Sequence, residues 1–200
     1  VSHYLQALDY QREINKVVAI LGGKTPNLIF ADADMDQAIA GSLFTAFYNT
    51  GQICTSGSRL LVERSIKDEL VAKIAERAKG TQPGNPLDPA SKMGAMVDEK
   101  QTRAVMDYIT DGKASANLVV GGERVTIDGK GCFIQPTVFD EVTPEMRISR
   151  EEIFGPVLSV MTFRTPEEAV AKANNTPYGL SAGIWTEKAS RMLAIADKLR

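Results

Sequence analysis

Along this chain, short runs of β-branched and other apolar residues alternate with stretches in which apolar side chains recur every three or four positions, the pattern of strands interleaved with amphipathic helices. Residues 3–15 have helical spacing, and "KVVAIL" (16–21) suits a buried strand closed by Gly22 and Gly23. "NLIF" (27–30) is a second strand. Asp34 is placed to cap a helix in which Met35, Ile39, Leu43, Phe44 and Phe47 share one face. "RLLVE" (59–63) is a strand, and Ser65 with Asp68 has the spacing of a capping box for a helix that turns Leu70, Val71, Ile74 and Ala78 inward. Residues 81–97, broken by Pro83, Gly84, Pro86, Pro89 and Gly94, form a long irregular connection to a helix with Val105, Met106 and Ile109 inward. "NLVVGG" (117–122), "PTVF" (136–139) and "LSVMTF" (158–163) are strand-like, and Thr165-Pro166 opens another helix. "AGIWT" (182–186) leads to a final helix from about Glu187. Strands separated by helices and showing little period-two alternation predict a three-layer α/β fold with a mainly parallel sheet.

Composition narrows the partners. In 200 residues, 44% hydrophobic and 24% charged content is that of a soluble globular chain able to bury a sizeable core. A formal charge of −2 and scattered Lys and Arg supply no basic field, so neither nucleic acid nor a membrane surface is expected as a partner. His3 is the single histidine and the 2 cysteines lie 78 residues apart with no C-x-x-C spacing, so no zinc site is expected. No long apolar run or signal peptide is present, which predicts a cytoplasmic protein. "MLAIADKLR" is still in amphipathic stride at Arg200, so the chain reads as truncated.

The candidate chemistry lies in "NTGQICTSGSR" (49–59). Cys54 there has Ile53 as its only apolar neighbour, whereas Cys132 in "GCFIQP" sits among apolar side chains as a structural cysteine does. Gly51 and Gly57 permit unusual backbone angles that leave a sulfur reachable. On these residues alone, an ordinary loop cysteine stays open as an alternative. "LGGKT" is no phosphate loop, because Val18 stands where a glycine is required, and no G-x-G-x-x-G fingerprint occurs at a strand-to-helix turn. In "REEIFGPV" (150–157) two acids precede an apolar pair and a rigid Gly-Pro corner, which would aim Glu152 and Phe154. Met93, Met96, Met106 and Met192 read as core filler.

"LGGKTPNLIF", "FYNTGQICTSGSR", "PLDPASKMG", "IQPTVF", "EEIFGPVLSV" and "NNTPYGLSAGIWT" occur in the order and spacing of the NAD(P)-dependent aldehyde dehydrogenases, and the resemblance runs from about residue 3 to residue 200. From 60 to 163 the chain is most similar to the enzymes acting on amino aldehydes, including γ-glutamyl-aminobutyraldehyde. The resemblance implies that residues 21–200 are the catalytic domain and 1–20 a remnant of the cofactor-domain side and its linker strand. It implies that Cys54 is the nucleophile that forms a thiohemiacetal and then a thioester with the aldehyde, its own N–H lining half of an oxyanion hole. Glu152 and Phe154 match the positions that hold the nicotinamide ribose and ring of NAD (or NADP), and Gly22-Gly23-Lys24 matches a turn beneath the site. Most cofactor contacts would belong to a domain absent from this chain, and the parent would be a homodimer or homotetramer.

The chain departs from the family at one position. The pattern Glu-x-Gly-Gly carries the base for thioester hydrolysis, but Ile20 stands in place of the glutamate and has no proton to exchange. Family branches without that glutamate pass the acyl group to coenzyme A, which makes a CoA-acylating enzyme the alternative; a silent homologue with a binding or assembly role is another. In a complete chain built on these residues, stopped-flow absorbance should show a burst of about one NADH per site followed by slow turnover. Ile20→Glu should accelerate the slow phase by roughly 10²- to 10⁴-fold, the reach of a general base. Fast turnover that the glutamate leaves unchanged would assign deacylation to another group.

Overall fold

The computed structural model describes residues 21–200. The helix expected over 3–15, the run from residue 16, the boundary segment 1–20 and Ile20 all lie outside the described residues. Apolar residues on strands β1 (Pro26–Ile29), β2 (Arg59–Glu63), β6 (Thr137–Asp140), β7 (Val157–Phe163) and β8 (Gly183–Trp185), with β3 (Asn117–Val120), build a 6-stranded sheet of order β3-β6-β7-β2-β1-β8. Every pairing in it is parallel except β3 with β6.

Both faces of the central strands are buried, so their sequences read as unbroken apolar runs. Leu28, Leu61, Val157, Met161 and Phe163 join Val105 and Ile109 of α3 (Glu99–Ser115), Ala169 and Ala173 of α5 (Pro166–Ala173) and Ile195 of α6 (Ala189–Ala196) in one core. Ile29, Leu60, Val62, Leu158 and Val160 face the opposite way, against Ile39 and Phe47 of α1 (Met35–Phe47) and Leu70, Ile74 and Ala78 of α2 (Lys67–Lys79). The result is the three-layer α/β arrangement the hydrophobic pattern predicts. A short helix, α4 (Arg147–Arg150), precedes the turn into β7.

Arg59 ties the layers together at the start of β2. Its side chain is 1% exposed; Nε donates to the Lys24 carbonyl (2.9 Å), and Nη1 and Nη2 donate to the carbonyls of Lys172 (3.1 Å) and Ala173 (2.7 Å). One guanidinium thus satisfies the last carbonyls of α5 and fixes the entry to β1.

Several expectations are corrected. Phe44 is not on the buried face of α1; it is 62% exposed and lies against the Tyr48 ring at 4.9 Å. The inward stripe is turned because Ser42 occupies it, accepting from Asn27 Nδ2 (3.0 Å) and donating to the Ala38 carbonyl (2.6 Å). Ser65 does not cap α2: it lies in a 3-10 turn, Arg64–Ile66, and the cap position is Ile66 with no side-chain bond. Met192 is 40% exposed rather than core. The hairpin of β4 (Arg124–Ile127) and β5 (Lys130–Ile134) was not anticipated, although Asp128-Gly129, both at positive φ, is the turn pair such hairpins favour.

The Thr165 cap is as expected, its hydroxyl accepting from the Glu168 N–H at 3.2 Å. Thr165→Ala should therefore lower stability by about 1 kcal/mol in denaturant unfolding, while Thr165→Ser should be nearly neutral. Equal stability of the alanine variant would show that the cap contributes nothing.

Candidate active site

Because β7, β2 and β1 are parallel neighbours, the segments that precede them emerge side by side at one edge of the sheet. Those segments are the 151–155 turn, the cysteine turn and the Gly22-Gly23 turn. They meet in close contact. A Cβ added to Gly23 would collide with the Cys54 carbonyl oxygen, and one added to Gly22, which sits at φ +75°, would collide with the Glu152 carboxylate. The Gly23 N–H donates to Glu152 Oε1 at 3.2 Å. Cys54, a free and half-buried thiol, thus has its main chain against Gly23, while the Glu152 carboxylate lies against both glycines.

The cysteine turn is reached through strained backbone. Asn49 (φ 49°), Thr50 (φ 58°) and Gly51 (φ 69°) are consecutive left-handed residues, a conformation that costs a β-branched residue of order 1–3 kcal/mol. Surrounding contacts enforce it. Asn49 Nδ2 donates to the Gln52 carbonyl (3.1 Å), and the Val97 N–H donates to Gln52 Oε1 (3.0 Å). Gly51 lies so near the Gly155 carbonyl that a Cβ would not fit. Beyond the strain, the Ser56 N–H donates to the Ile53 carbonyl (3.0 Å), closing a turn around Cys54, and the Gly57 N–H donates to the Thr45 carbonyl (3.2 Å). Gly57 has no positive φ; it is small because a Cβ would press on the Thr45 side chain.

The 151–155 turn is likewise held open. Phe154 is left-handed at φ 55° and 39% exposed, and the Gln101 amide Nε2 donates to the carbonyls of Ile153 (3.1 Å) and Phe154 (3.0 Å). The Gly23 bond occupies only one oxygen of Glu152, so a carboxylate oxygen, an exposed aromatic ring and a glycine-lined cradle share one rim. A carboxylate and an exposed aromatic ring are residue types that could hold a ribose hydroxyl pair and a flat heteroaromatic ring.

Beneath the cradle, Lys24 is 2% exposed and its Nζ has no hydrogen-bond partner among the described residues. Burial first, and then the nearby Arg59 charge, push its pKa down to about 7, while Glu152 and Glu151 pull the other way. Among the described residues no group of three or more His, Cys, Asp or Glu could hold a metal ion, and no helix is long and apolar enough to cross a membrane.

A layered α/β domain thus brings the Cys54 main chain and the Glu152 carboxylate against one pair of glycines. The chain belongs to the aldehyde dehydrogenase family, whose model matches residues 2–200. It is 46% identical over 189 residues to a betaine aldehyde dehydrogenase of Sinorhizobium fredii, covering 94% of this chain and 39% of that protein. An indole-3-acetaldehyde dehydrogenase of P. syringae solved with NAD+ superposes with a TM-score of 0.87 at 49% identity, covering 90% of this chain and 37% of that one. A γ-glutamyl-γ-aminobutyraldehyde dehydrogenase of Burkholderia cenocepacia does so at 0.87 and 47%, covering 90% and 36%. The chain thus spans well under half the length of these relatives.

Of the residues singled out in the sequence, Cys54 and Glu152 converge on Gly22-Gly23, and Phe154 shares the turn of Glu152. Gln101 and Thr50 were not singled out; no local pattern marks them, since their partners are remote in sequence. Lys24 yields a pH prediction. Unfolded, it holds its proton up to its ordinary pKa of 10.5, but folded it releases it near 7, so stability rises as pH climbs between those values and the burial cost is full below 7. Lys24→Met should raise thermal stability at pH 6.5, by on the order of 1–3 kcal/mol, and by much less at pH 9.5. A gain independent of pH would contradict the assignment.

Proposed function

We propose that the protein of which this chain is part oxidises an aldehyde to its carboxylate with NAD(P)+, Cys54 being the nucleophile. The observation that carries this is the seating of Cys54 and Glu152 on one pair of glycines. Cys54 Sγ, as thiolate, adds to the carbonyl carbon, and the C=O electron pair moves onto oxygen as an oxyanion. The Cys54 N–H donates to that oxyanion, a contribution of about 3 kcal/mol for a typical hole donor. A bound dinucleotide would supply the acceptor for the hydride, and loss of that hydride from the former aldehyde carbon turns the adduct into a thioester on Sγ. Glu152 would accept from the ribose hydroxyls and the Phe154 ring would pack beside the nicotinamide, so these two residues would set where the acceptor sits. Water then attacks the thioester, releasing the acid and restoring the thiol.

The names of two relatives, a betaine aldehyde and a γ-glutamyl-γ-aminobutyraldehyde dehydrogenase, support amino aldehydes as the substrate class, and the family resemblance implies a cytoplasmic homodimer or homotetramer as the working form. A second reading is favoured by Ile20: without a base there, coenzyme A rather than water takes the acyl group.

The test is NADH production by the full-length protein, with betaine aldehyde and 4-aminobutyraldehyde as substrates. Cys54→Ala should reduce turnover by at least about 10³-fold while leaving NADH binding intact. Turnover that appears only when coenzyme A is added would select the second reading. Undiminished oxidation by Cys54→Ala would remove Cys54 from the chemistry.

A further inference from the structure

The face of α3 bearing Gln101, Val105 and Tyr108 is spaced four and three residues apart, so these side chains form one ridge. That ridge runs along the turn carrying Glu152 and Phe154. At one end Gln101 donates to the carbonyls of Ile153 and Phe154. In the middle, Val105 packs so tightly on Gly155 that a Cβ there would lie 2.5 Å from its Cγ2. At the other end, the Tyr108 hydroxyl donates to Glu151 Oε2 at 2.8 Å. Arg147 completes this end from α4: its guanidinium lies 3.9 Å above the Tyr108 ring, and its Nε donates to the same Glu151 oxygen at 3.1 Å. Glu151 and Glu152 are thus drawn in different directions, the first to α3 and α4 and the second to the Gly23 N–H.

We propose that Tyr108, backed by Arg147, is a positioning residue for the cofactor site, fixing the Glu152 carboxylate by anchoring its neighbour Glu151; this rests on the reading of Glu152 as a ribose contact.

The magnitudes favour a positional over a stabilising role. The side chains of Arg147 and Glu151 are 45% and 50% exposed, and pairs that exposed contribute little to global stability. Yet the network acts on residues adjoining a left-handed Phe154, where a loosened anchor leaves the backbone free to relax. The Tyr108–Glu151 bond is charge-assisted and persists at neutral pH. Burial and the Glu151 carboxylate raise the Tyr108 pKa, keeping the phenol a donor, and the bond from Tyr108 holds the Glu151 carboxyl below its usual range.

The test compares Tyr108→Phe, Arg147→Gln and Glu152→Gln in the full-length protein. Two readouts are needed: hydrogen exchange over residues 150–156 without cofactor, and NADH affinity by fluorescence titration. Tyr108→Phe should speed exchange across that segment and weaken NADH binding by roughly 3- to 10-fold, a single contact's coupling, with the melting temperature little changed. Arg147→Gln should act in the same direction. Added to Glu152→Gln, Tyr108→Phe should cost no further affinity, a non-additivity that a merely structural residue would not produce. Unchanged exchange and affinity in Tyr108→Phe, with weakened binding in Glu152→Gln, would overturn the proposal. So would a Tyr108→Phe variant that fails to fold beside an Arg147→Gln variant with native exchange. If Glu152→Gln itself binds NADH normally, the ribose reading fails and takes the positioning role with it, whereas the exchange data still report whether Tyr108 anchors the turn.

Discussion

The site depends on two absent Cβ atoms. Gly22 and Gly23 let the cysteine turn and the 151–155 turn approach until the Cys54 carbonyl takes the place of a side chain at Gly23 and the Glu152 carboxylate that of one at Gly22. Any larger residue at Gly23 would push against the Cys54 backbone itself, which has no rotamer with which to yield. The hydrogen bond from the Gly23 N–H then turns proximity into orientation, because it fixes which oxygen of Glu152 faces inward. Cys54 and Glu152 are in this way registered to each other through main chain, the least compliant material available.

The sheet supplies the rest of the constraint. Parallel order β7-β2-β1 gathers three remote segments at one edge, and Arg59 sets the height of that edge by binding the carbonyl of Lys24 and the end of α5 at once. Burying a guanidinium is costly unless its donors are filled, and here the recorded bonds run to main-chain carbonyls rather than to a counter-charge. That choice leaves the neighbourhood positive. It adds to burial, the larger cause, in lowering the pKa of Lys24.

Much of the architecture was legible because it is local. The central strands are apolar on both faces, so β2 and β7 announce themselves, and the caps at Asp34 and Thr165 are where their side chains place them. Cys54, Glu152 and Phe154 stand in short, distinctive motifs. What the sequence could not convey is which turns touch. The bonds from Tyr108 to Glu151 and from Gln101 to Ile153 span 43 and 52 residues, and nothing in "AVMDYIT" marks its tyrosine as different from a helix-surface residue. The stripe of α1 was misjudged for a related reason: Ser42 is polar by type but buried by its bond to Asn27, a partner on another element. The Asp128-Gly129 hairpin, by contrast, carries its turn signal in the local sequence.

The cradle closes late in the life of each molecule. Glu152 follows Gly23 by 129 residues, and β1 cannot gain its β8 neighbour until residues near the end of this chain exist. At synthesis rates of about 5–20 residues per second, Cys54 spends several seconds outside the ribosome as an ordinary loop thiol before its carboxylate companion has been made. Pairings so distant are also slow to form, since loop closure must be met before they contribute. A newly made chain therefore passes through a period in which the Cys54 turn has no Glu152 turn beside it, and the two meet only when β7 docks beside β2.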